Sequence, residues 1–303
     1  MRAGVLYSVA AYLLWSLFPL YFKLLGRSGA LEIIGYRVVC SLIFCAAILF
    51  VVRGWGDVRG LLSSRRTMLS LAAAGVLVTI NWTVYVVGVN SGRTLDAALG
   101  YFINPLVAAA LGVLVLRETM SRIQWVAFVV GAVACVVLAV GYGKVPWIAF
   151  GVAGSFGLYS LVKKQVGAKV TALAGLTIET ATVAPVMIVY LVWLSLSGGA
   201  TVEVASSYGA LMLAAGPITA VPLLLFAAGA RRVRLVTLGM IQYIAPIGQF
   251  LLGWLVFDEP MPPERWVGFA LVWVAVALFA GSALWQLSRQ YPRSRNREVV
   301  KEA

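Results

Sequence analysis

The apolar residues of this chain run in long unbroken blocks instead of alternating with polar ones. Ten blocks, at approximately 4–25, 30–52, 67–89, 94–116, 122–141, 146–163, 171–195, 208–230, 235–257 and 265–287, are separated by short polar breaks. Each is close to the ~20 residues with which a helix crosses a hydrocarbon core. A membrane β-strand would alternate apolar and polar positions over about ten residues, whereas Val126 to Val140 is apolar on every side. The pattern predicts an all-α integral membrane protein of ten transmembrane helices. The first block follows Arg2 as a secretory signal would. It is too long for one, and Pro19, Tyr21 and Phe22 stand where cleavage needs small residues, so it reads as an uncleaved first span.

Composition agrees with the pattern. Apolar residues make up 62% of the 303 and charged residues only 12%, against roughly 45–50% and 25% in soluble domains. The net charge of +13 would suit a nucleic-acid binder, but the cations are sorted by side of the membrane. Eighteen fall on one side: Arg2, the cluster from Arg53 to Arg66, Arg117, Arg122, Lys163, Lys164, Lys169, Arg231, Arg232, Arg234 and the C-terminal group through Lys301. Five fall on the other (Lys23, Arg27, Arg93, Lys144 and Arg265), and Arg37 lies within the second span. The positive-inside bias puts the richer side, with both termini, in the cytoplasm and removes the case for nucleic acid. The expected partners are a small-molecule solute and the lipid bilayer, with homodimerisation left open. Residues 288–303 read as a disordered cytoplasmic tail that can touch anionic lipid.

Histidine is absent, which removes the commonest general base, proton switch and metal ligand together. Cys40, Cys45 and Cys135 are odd in number and lie inside apolar blocks, so they read as small hydrophobes, and neither a cofactor nor a metal is expected.

Sliding the sequence on itself by 141 residues pairs Gly88 with Gly229, Arg93 with Arg234, Pro105 with Pro246, Gly112 with Gly253, Glu118 with Glu259, Met120 with Met261, Trp125 with Trp266 and Phe128 with Phe269. Slightly larger offsets pair Trp15 and Ser16 with Tyr159 and Ser160, and Glu32 with Glu179. Shared apolarity would align Val with Leu, not Pro, Glu, Trp and Arg. The chain therefore reads as a duplicated five-helix unit, residues 1–143 and 144–287. Five is odd, so the second copy enters the membrane from the opposite side. Two inverted copies are a transporter architecture with its site near the midplane between them.

The residues also resemble a known family. Ala30-Leu31-Glu32-Ile33-Ile34-Gly35-Tyr36-Arg37, Asn81-Trp82, Leu95-Asp96-Ala97-Ala98-Leu99-Gly100-Tyr101-Phe102-Ile103-Asn104-Pro105-Leu106, Tyr159 with Lys163 and Lys164, Ile178-Glu179-Thr180 with Pro185, and Leu238-Gly239 with Gln242-Tyr243-Ile244 and Pro246 together resemble the RarD-type permeases of the EamA branch of the drug/metabolite transporter superfamily. The likeness runs nearly end to end. It implies two inverted EamA units of five helices, inner-membrane location, and a central cavity from which the fifth and tenth helices stand away. It also implies a historical link of the family name to chloramphenicol sensitivity. Where the family pattern often has histidine before the second-span arginine, this chain has Tyr36, so no histidine there can carry a proton.

Ionised groups within a span cost roughly 2.5–3.5 kcal/mol at a helix centre, and two stand out. Arg37 lies about 10 Å below the outer face and Glu179 about 12 Å from the inner one, by helical rise. Their side chains are long enough to meet, as a structural ion pair, or to bracket a solute. Glu179 is the candidate for proton coupling, because intramembrane carboxyls serve as proton relays. Asn81, Asn104, Gln242 and Ser155 can hydrogen-bond a solute or tie helices together. Mid-span Trp15, Trp82, Tyr85, Tyr101, Tyr159 and Tyr243 are candidates to line a cavity for an aromatic, cationic or amphiphilic solute, with Tyr36 beside Arg37 as a further binding candidate. Trp55, Trp125, Trp147 and Trp266 read as interfacial belts. Pro105 and Pro246 are expected to bend the fourth and ninth helices in equivalent places and act as hinges, with Pro19, Pro185, Pro217 and Pro222 adding bends. Gly151, Gly154 and Gly157 read as close packing or as gating flexibility.

Asp258, Glu259 and Glu264 read as a solvated outer loop, and Arg117 with Glu118 as a charge pair ending the fourth helix. The reading that follows is a secondary active transporter of a small organic solute working by alternating access, with proton-coupled export of a metabolite or amphiphilic compound as its form. A non-transporting receptor or scaffold is the alternative. No phosphate loop, Ser-His pair, H-E-x-x-H helix or intramembrane aspartate pair supports ATP use or intramembrane catalysis.

Overall fold

A computed structural model of the chain describes residues 2–117, 119–141, 145–166, 170–203, 205–230 and 241–290. Glu118, Lys144, Lys169, Arg231, Arg232, Arg234, the Leu238-Gly239 pair and residues 291–303 lie outside them. The described residues form helices and no strand. With the ten apolar blocks of the sequence numbered in order as spans, the first is α1 (Arg2–Ser16) and α2 (Phe18–Leu24), broken at Leu17, where Pro19 starts the second piece. The second span is α3 (Ala30–Val51), followed by a short helix α4 (Trp55–Leu62) in the connecting loop. Next come α5 (Arg65–Asn90), α6 (Thr94–Leu116) and α7 (Arg122–Gly141) as spans three to five. Spans six and seven are α8 (Trp147–Val166) and α9 (Ala172–Leu196). The eighth is α10 (Ser207–Leu213) plus α11 (Ala215–Ala230), and the ninth includes α12 (Ile244–Leu251) and a π-helical turn (Leu252–Val256). The tenth is α13 (Pro263–Gln290), which carries helix three residues into the segment read as tail.

Eight helical stretches, two of them (Ala3–Leu24 and Ser207–Phe226) joined from two pieces, are long and apolar enough to cross a membrane, and the shorter apolar helices Trp147–Lys163 and Ile244–Val256 fall in the sixth and ninth blocks. Both faces of each span are apolar for different reasons. Ile33, Ile34 and Val38 are fully buried against other helices, while Phe50, Leu114, Val140 and Leu196 are more than three-quarters exposed, as lipid-facing side chains are. Side-chain caps begin helices at the loops: Ser64 accepts from Thr67 N at 3.3 Å and Ser206 from Gly209 N at 2.9 Å.

The helix pairings repeat themselves. α6 packs on α8 as α12 packs on α1, and α5 packs on α8 as α11 packs on α1. In the same way α5 packs on α9 as α11 packs on α3. α3 pairs with α9, α6 with α12 and α7 with α13, each a span with the one five later. Two glycines at the 141-residue offset set the closest of these approaches. A Cβ on Gly75 would strike the Glu179 carbonyl oxygen of α9, and a Cβ on Gly216 would come within 2.5 Å of the Cys40 carbonyl oxygen of α3. Only hydrogen in place of the side chain allows the backbones that near. Gly151 and Gly157 likewise meet Val84 and Val107, whereas Gly154 faces open space.

The loops gather by parity. At one end Ser28 bonds Thr201 and, at 2.8 Å, the Tyr208 hydroxyl. Glu32 accepts from Thr201 N and Oγ1 at 3.0 and 2.7 Å, and the Lys23 ammonium sits 5.2 Å over the Phe257 ring. Asp96 joins Arg93 (2.7 Å) to Arg265 (2.9 Å), and Arg93 lies 5.5 Å over the Trp147 ring. At the other end Thr171 bonds Asp57 at 3.3 Å and Ser121 bonds Ser282 at 3.0 Å.

Three expectations are corrected here. Glu259 is no solvated loop residue: only 5% exposed, it accepts from Thr94 N at 2.6 Å and Leu95 N at 2.9 Å and so caps α6. A carboxylate there meets the unpaired amides and positive end of a helix dipole. Its neighbours Asp258 and Glu264 are exposed. Lys163 is no simple surface cation, because it turns inward to Glu179. The repeat-related prolines also act differently. α6 continues through Pro105, whereas residues before Pro246 form a turn at Gln242–Tyr243 and α12 starts at Ile244. A proline removes one hydrogen bond in either place, and the surrounding packing decides whether the helix breaks.

Candidate functional site, a cavity between the two halves

A cavity of about 220 Å³ lies among the helices, lined from spans one to four and six to nine. None of its lining residues comes from α7 or α13. It therefore takes equal numbers of spans from the two sequence copies.

Its walls are chiefly aromatic. On one side Tyr12, Trp15 and Phe226 pack with ring centroids 5.1–5.9 Å apart. On the other, Tyr85, Tyr101, Phe156 and Tyr159 form a ladder with successive centroids 5.6, 5.9 and 5.6 Å apart. Phe226 stands 141 residues after Tyr85, and Phe156 and Tyr159 stand 144 after Tyr12 and Trp15. The two aromatic walls correspond at these three positions, whereas Tyr101 has Gln242 at the 141-residue offset. All six mid-span aromatics singled out from sequence (Trp15, Trp82, Tyr85, Tyr101, Tyr159 and Tyr243) border the cavity.

Arg37 and Glu179 border it too, but they do not pair with each other. Glu179, 1% exposed, accepts from Lys163 Nζ at 2.6 Å and from the Tyr159 hydroxyl at 3.3 Å. Arg37, 3% exposed, donates from Nε to Thr219 Oγ1 at 2.9 Å and places its guanidinium 4.0 Å from the Trp82 ring centroid. Asn104, Gln242 and Pro246 also line the cavity. Gln249 Nε2 donates to the Trp15 carbonyl at 3.1 Å. Four lining residues keep a buried polar atom with no partner among the described residues: Arg37 Nη1, Tyr85 Oη, Asn104 Oδ1 and Gln249 Oε1. Such atoms cost about 1–3 kcal/mol each when left dry.

Four sequence candidates, Tyr36, Asn81, Pro105 and Ser155, lie off the cavity lining. Tyr36 packs partly buried against the main core, and Pro105 is within α6 one residue beyond Asn104. Asn81 is fully buried: its Nδ2 donates to the Val152 carbonyl (2.9 Å) and Ser155 Oγ (3.1 Å), and its Oδ1 accepts from the Tyr101 hydroxyl (3.1 Å). It ties α5, α8 and α6 together behind the aromatic ladder. Asn81→Leu is therefore expected to cost about 1–2 kcal/mol of stability while leaving solute affinity near wild type. Lost affinity at an unchanged melting temperature would return Asn81 to the binding site. Sequence reasoning missed Tyr12, Phe156, Phe226, Thr219, Gln249 and the Lys163 partnership. Extending the repeat offsets to every aromatic would have found the first three, whereas Thr219 and Gln249 carry no sequence signal of their own.

The EamA-like transporter family is matched over residues 2–140. "Protein RarD" of Streptomyces exfoliatus is 45% identical over 98% of this chain and 92% of its own. The Bacillus subtilis "Uncharacterized transporter YojE" is 41% identical over 93% of this chain and 94% of its own, and "Protein RarD" of Escherichia coli is 38% identical over 95% and 97%. A solved structure described only as the crystal structure of a protein shares the fold, with a TM-score of 0.61 at 17% identity over 92% of this chain and 97% of that one. The chain belongs to the EamA family as a RarD-type permease, a multi-pass membrane transporter of the drug/metabolite type.

Proposed function

We propose that the protein is a secondary active transporter that carries a small organic solute across the cell inner membrane by alternating access, with both termini cytoplasmic. Residues 1–143 and 144–287 act as inverted five-helix halves, and 288–303 as a cytoplasmic tail. The observation that carries this reading is the cavity itself, walled by two repeat-related aromatic clusters and holding unpartnered polar atoms. Inversion is supported by the loop pairings, which join loops one, three, five, seven and nine at one end. A second copy starting from the opposite side produces that grouping. Alternation is supported by unlike hinges at like positions: a continuous helix at Pro105 and a break before Pro246 are what one inverted pair displays when its halves adopt different conformations.

The bonds of Glu32, Asp96 and Glu259 all cross from one half to the other at the same end. They close the cavity to the outside in this conformation. Glu179, placed between Lys163 and Tyr159 on the cavity wall, carries the coupling proton. Protonation removes its pairing with Lys163 and frees the ammonium for the approaching water-filled face, and deprotonation restores the pair. Exchange of a proton for solute then drives export.

The test is reconstitution in proteoliposomes with metabolites and amphiphilic drugs, with and without a proton gradient. Accumulation against a gradient is expected; binding without accumulation would favour a receptor. Glu179→Gln is expected to abolish gradient-driven accumulation and spare counterflow exchange. Unchanged accumulation in that variant would remove Glu179 from the coupling role.

A further inference from the structure

Among the described residues, the buried ionised groups are met by opposite charge or by backbone donors, with one exception. Asp96 sits between two arginines, Glu179 against Lys163, Glu259 on the amides of α6 and Glu32 on Thr201. Arg37 has no carboxylate among the described residues. Among the described residues it donates to the Thr219 hydroxyl and lies against three aromatic rings, with Trp82 at 4.0 Å and Phe22 and Phe18 at 5.3 and 5.4 Å from the guanidinium carbon. Ring faces attract a cation and hold its plane, but they do not neutralise it. Nη1 is left buried with no partner on a residue that borders the cavity.

We infer that the cavity takes its solute by a carboxylate group seated on the Arg37 guanidinium, with the Tyr85 hydroxyl as second donor, so that the preferred substrates are small organic monoanions. This rests on the cavity being the transport site. The charge count favours one negative charge: Glu179 and Lys163 cancel across 2.6 Å, which leaves the +1 of Arg37 on the cavity wall. The planar fork of an arginine matches two carboxylate oxygens, and such charge-assisted bonds are about twice as strong as neutral ones. Tyr85 is only 3% exposed, its hydroxyl has no partner among the described residues, and its ring packs 6.0 Å from Phe22, one of the rings against Arg37. A carboxylate bridging these two donors would satisfy both orphaned atoms. The rest of the solute then lies toward Tyr12, Trp15 and Phe226, whose faces suit an apolar or aromatic body. A volume of about 220 Å³ restricts that body to a small molecule.

The experiment compares binding of benzoate, benzamide and phenyl phosphate to the purified full-length protein, read by quenching of tryptophan fluorescence and by thermal shift. Wild type is expected to bind benzoate about tenfold or more tighter than benzamide, as a hydrogen-bonded charge pair implies. Arg37→Gln should bring that ratio close to one, and Arg37→Lys should keep part of it. Tyr85→Phe removes a hydroxyl that bonds none of the described residues, so it keeps the fold and is expected to weaken benzoate severalfold while leaving benzamide unchanged. Equal affinity for acid and amide in wild type would overturn the inference. So would a preserved preference in Arg37→Gln, an unchanged benzoate affinity in Tyr85→Phe, or a preference for phenyl phosphate over benzoate. Proteoliposome flux separates this from the transporter reading. Transport without any acid preference removes the carboxylate site and leaves the transporter standing, whereas discriminating binding without flux does the reverse.

Discussion

Glu259→Ala is expected to lower the melting temperature of the detergent-solubilised protein by several degrees, more than alanine at either acidic neighbour. Asp258 and Glu264 are exposed, so their removal changes little. Glu259 is 5% exposed, and its two oxygens take the first amides of α6 at 2.6 and 2.9 Å. Loss of a cap alone costs about 0.5–2 kcal/mol. Here two donors are orphaned, and each bond to a charged acceptor is worth about 1.5–3 kcal/mol when fully buried. Because this end of α6 lies beside a loop, water recovers part of the loss, and about 2 kcal/mol remains as the expected cost. Glu259→Gln keeps one acceptor and should recover about half of that cost. The same change unfastens two halves that also meet at Asp96 and Arg265 (2.9 Å). Cysteines placed beneath this end should then become more reactive toward an impermeant thiol reagent added from outside. An alanine variant that melts with wild type and labels no faster would show that the cap neither stabilises the fold nor closes the cavity.

A second large effect is expected at Gly75. Gly75→Val should abolish recovery of monodisperse protein, and Gly75→Ala should reduce it. The added Cβ would meet Glu179 Cα and carbonyl carbon at 3.0 Å and overlap its carbonyl oxygen. Those atoms are backbone and cannot rotate aside, so α5 and α9 would have to part. Overpacking a core by a methylene costs about 1–3 kcal/mol, and here it also carries Glu179 away from Lys163. Gly216→Val should behave alike, because its Cβ would press on the Cys40 carbonyl across α11 and α3. Gly154→Ala, with no atom within 4 Å, is the matched control and should be neutral. Equal yields and melting temperatures across the four variants would remove close backbone approach as the determinant of these pairings.

The spans and the aromatic lining were legible for a shared reason. Hydrocarbon solvates only apolar side chains and internally bonded backbone, so every crossing leaves a block of the required length. A tyrosine or tryptophan in the middle of a block has a hydroxyl or N–H that lipid cannot satisfy. Trp15, Trp82, Tyr85, Tyr101, Tyr159 and Tyr243 consequently turned inward, where the cavity lies. Residues near block ends were harder to read. Lys163 and Glu259 sit among other charges, and nothing nearby in sequence says that one reaches Glu179 while the other caps a helix 165 positions away. Asn81 and Asn104 are chemically identical and both mid-span. The helix faces they occupy decide that one is fully bonded behind the wall and the other keeps a free oxygen in it.

Sequence by itself determined what depends on the solvent and on copying: a membrane-spanning helical chain, its block boundaries, and a unit repeated at an offset of 141 residues. Tertiary structure decided what depends on partners brought from far along the chain. It separated Arg37 from Glu179, gave Glu179 to Lys163, and left Arg37 without a counter-charge among the described residues. It also kept α6 whole at Pro105 while the ninth span breaks before Pro246. The physical reason is that hydrophobicity acts on each residue wherever it lies, whereas an ion pair, a cap or a hinge depends on distances of a few ångströms that only packing sets.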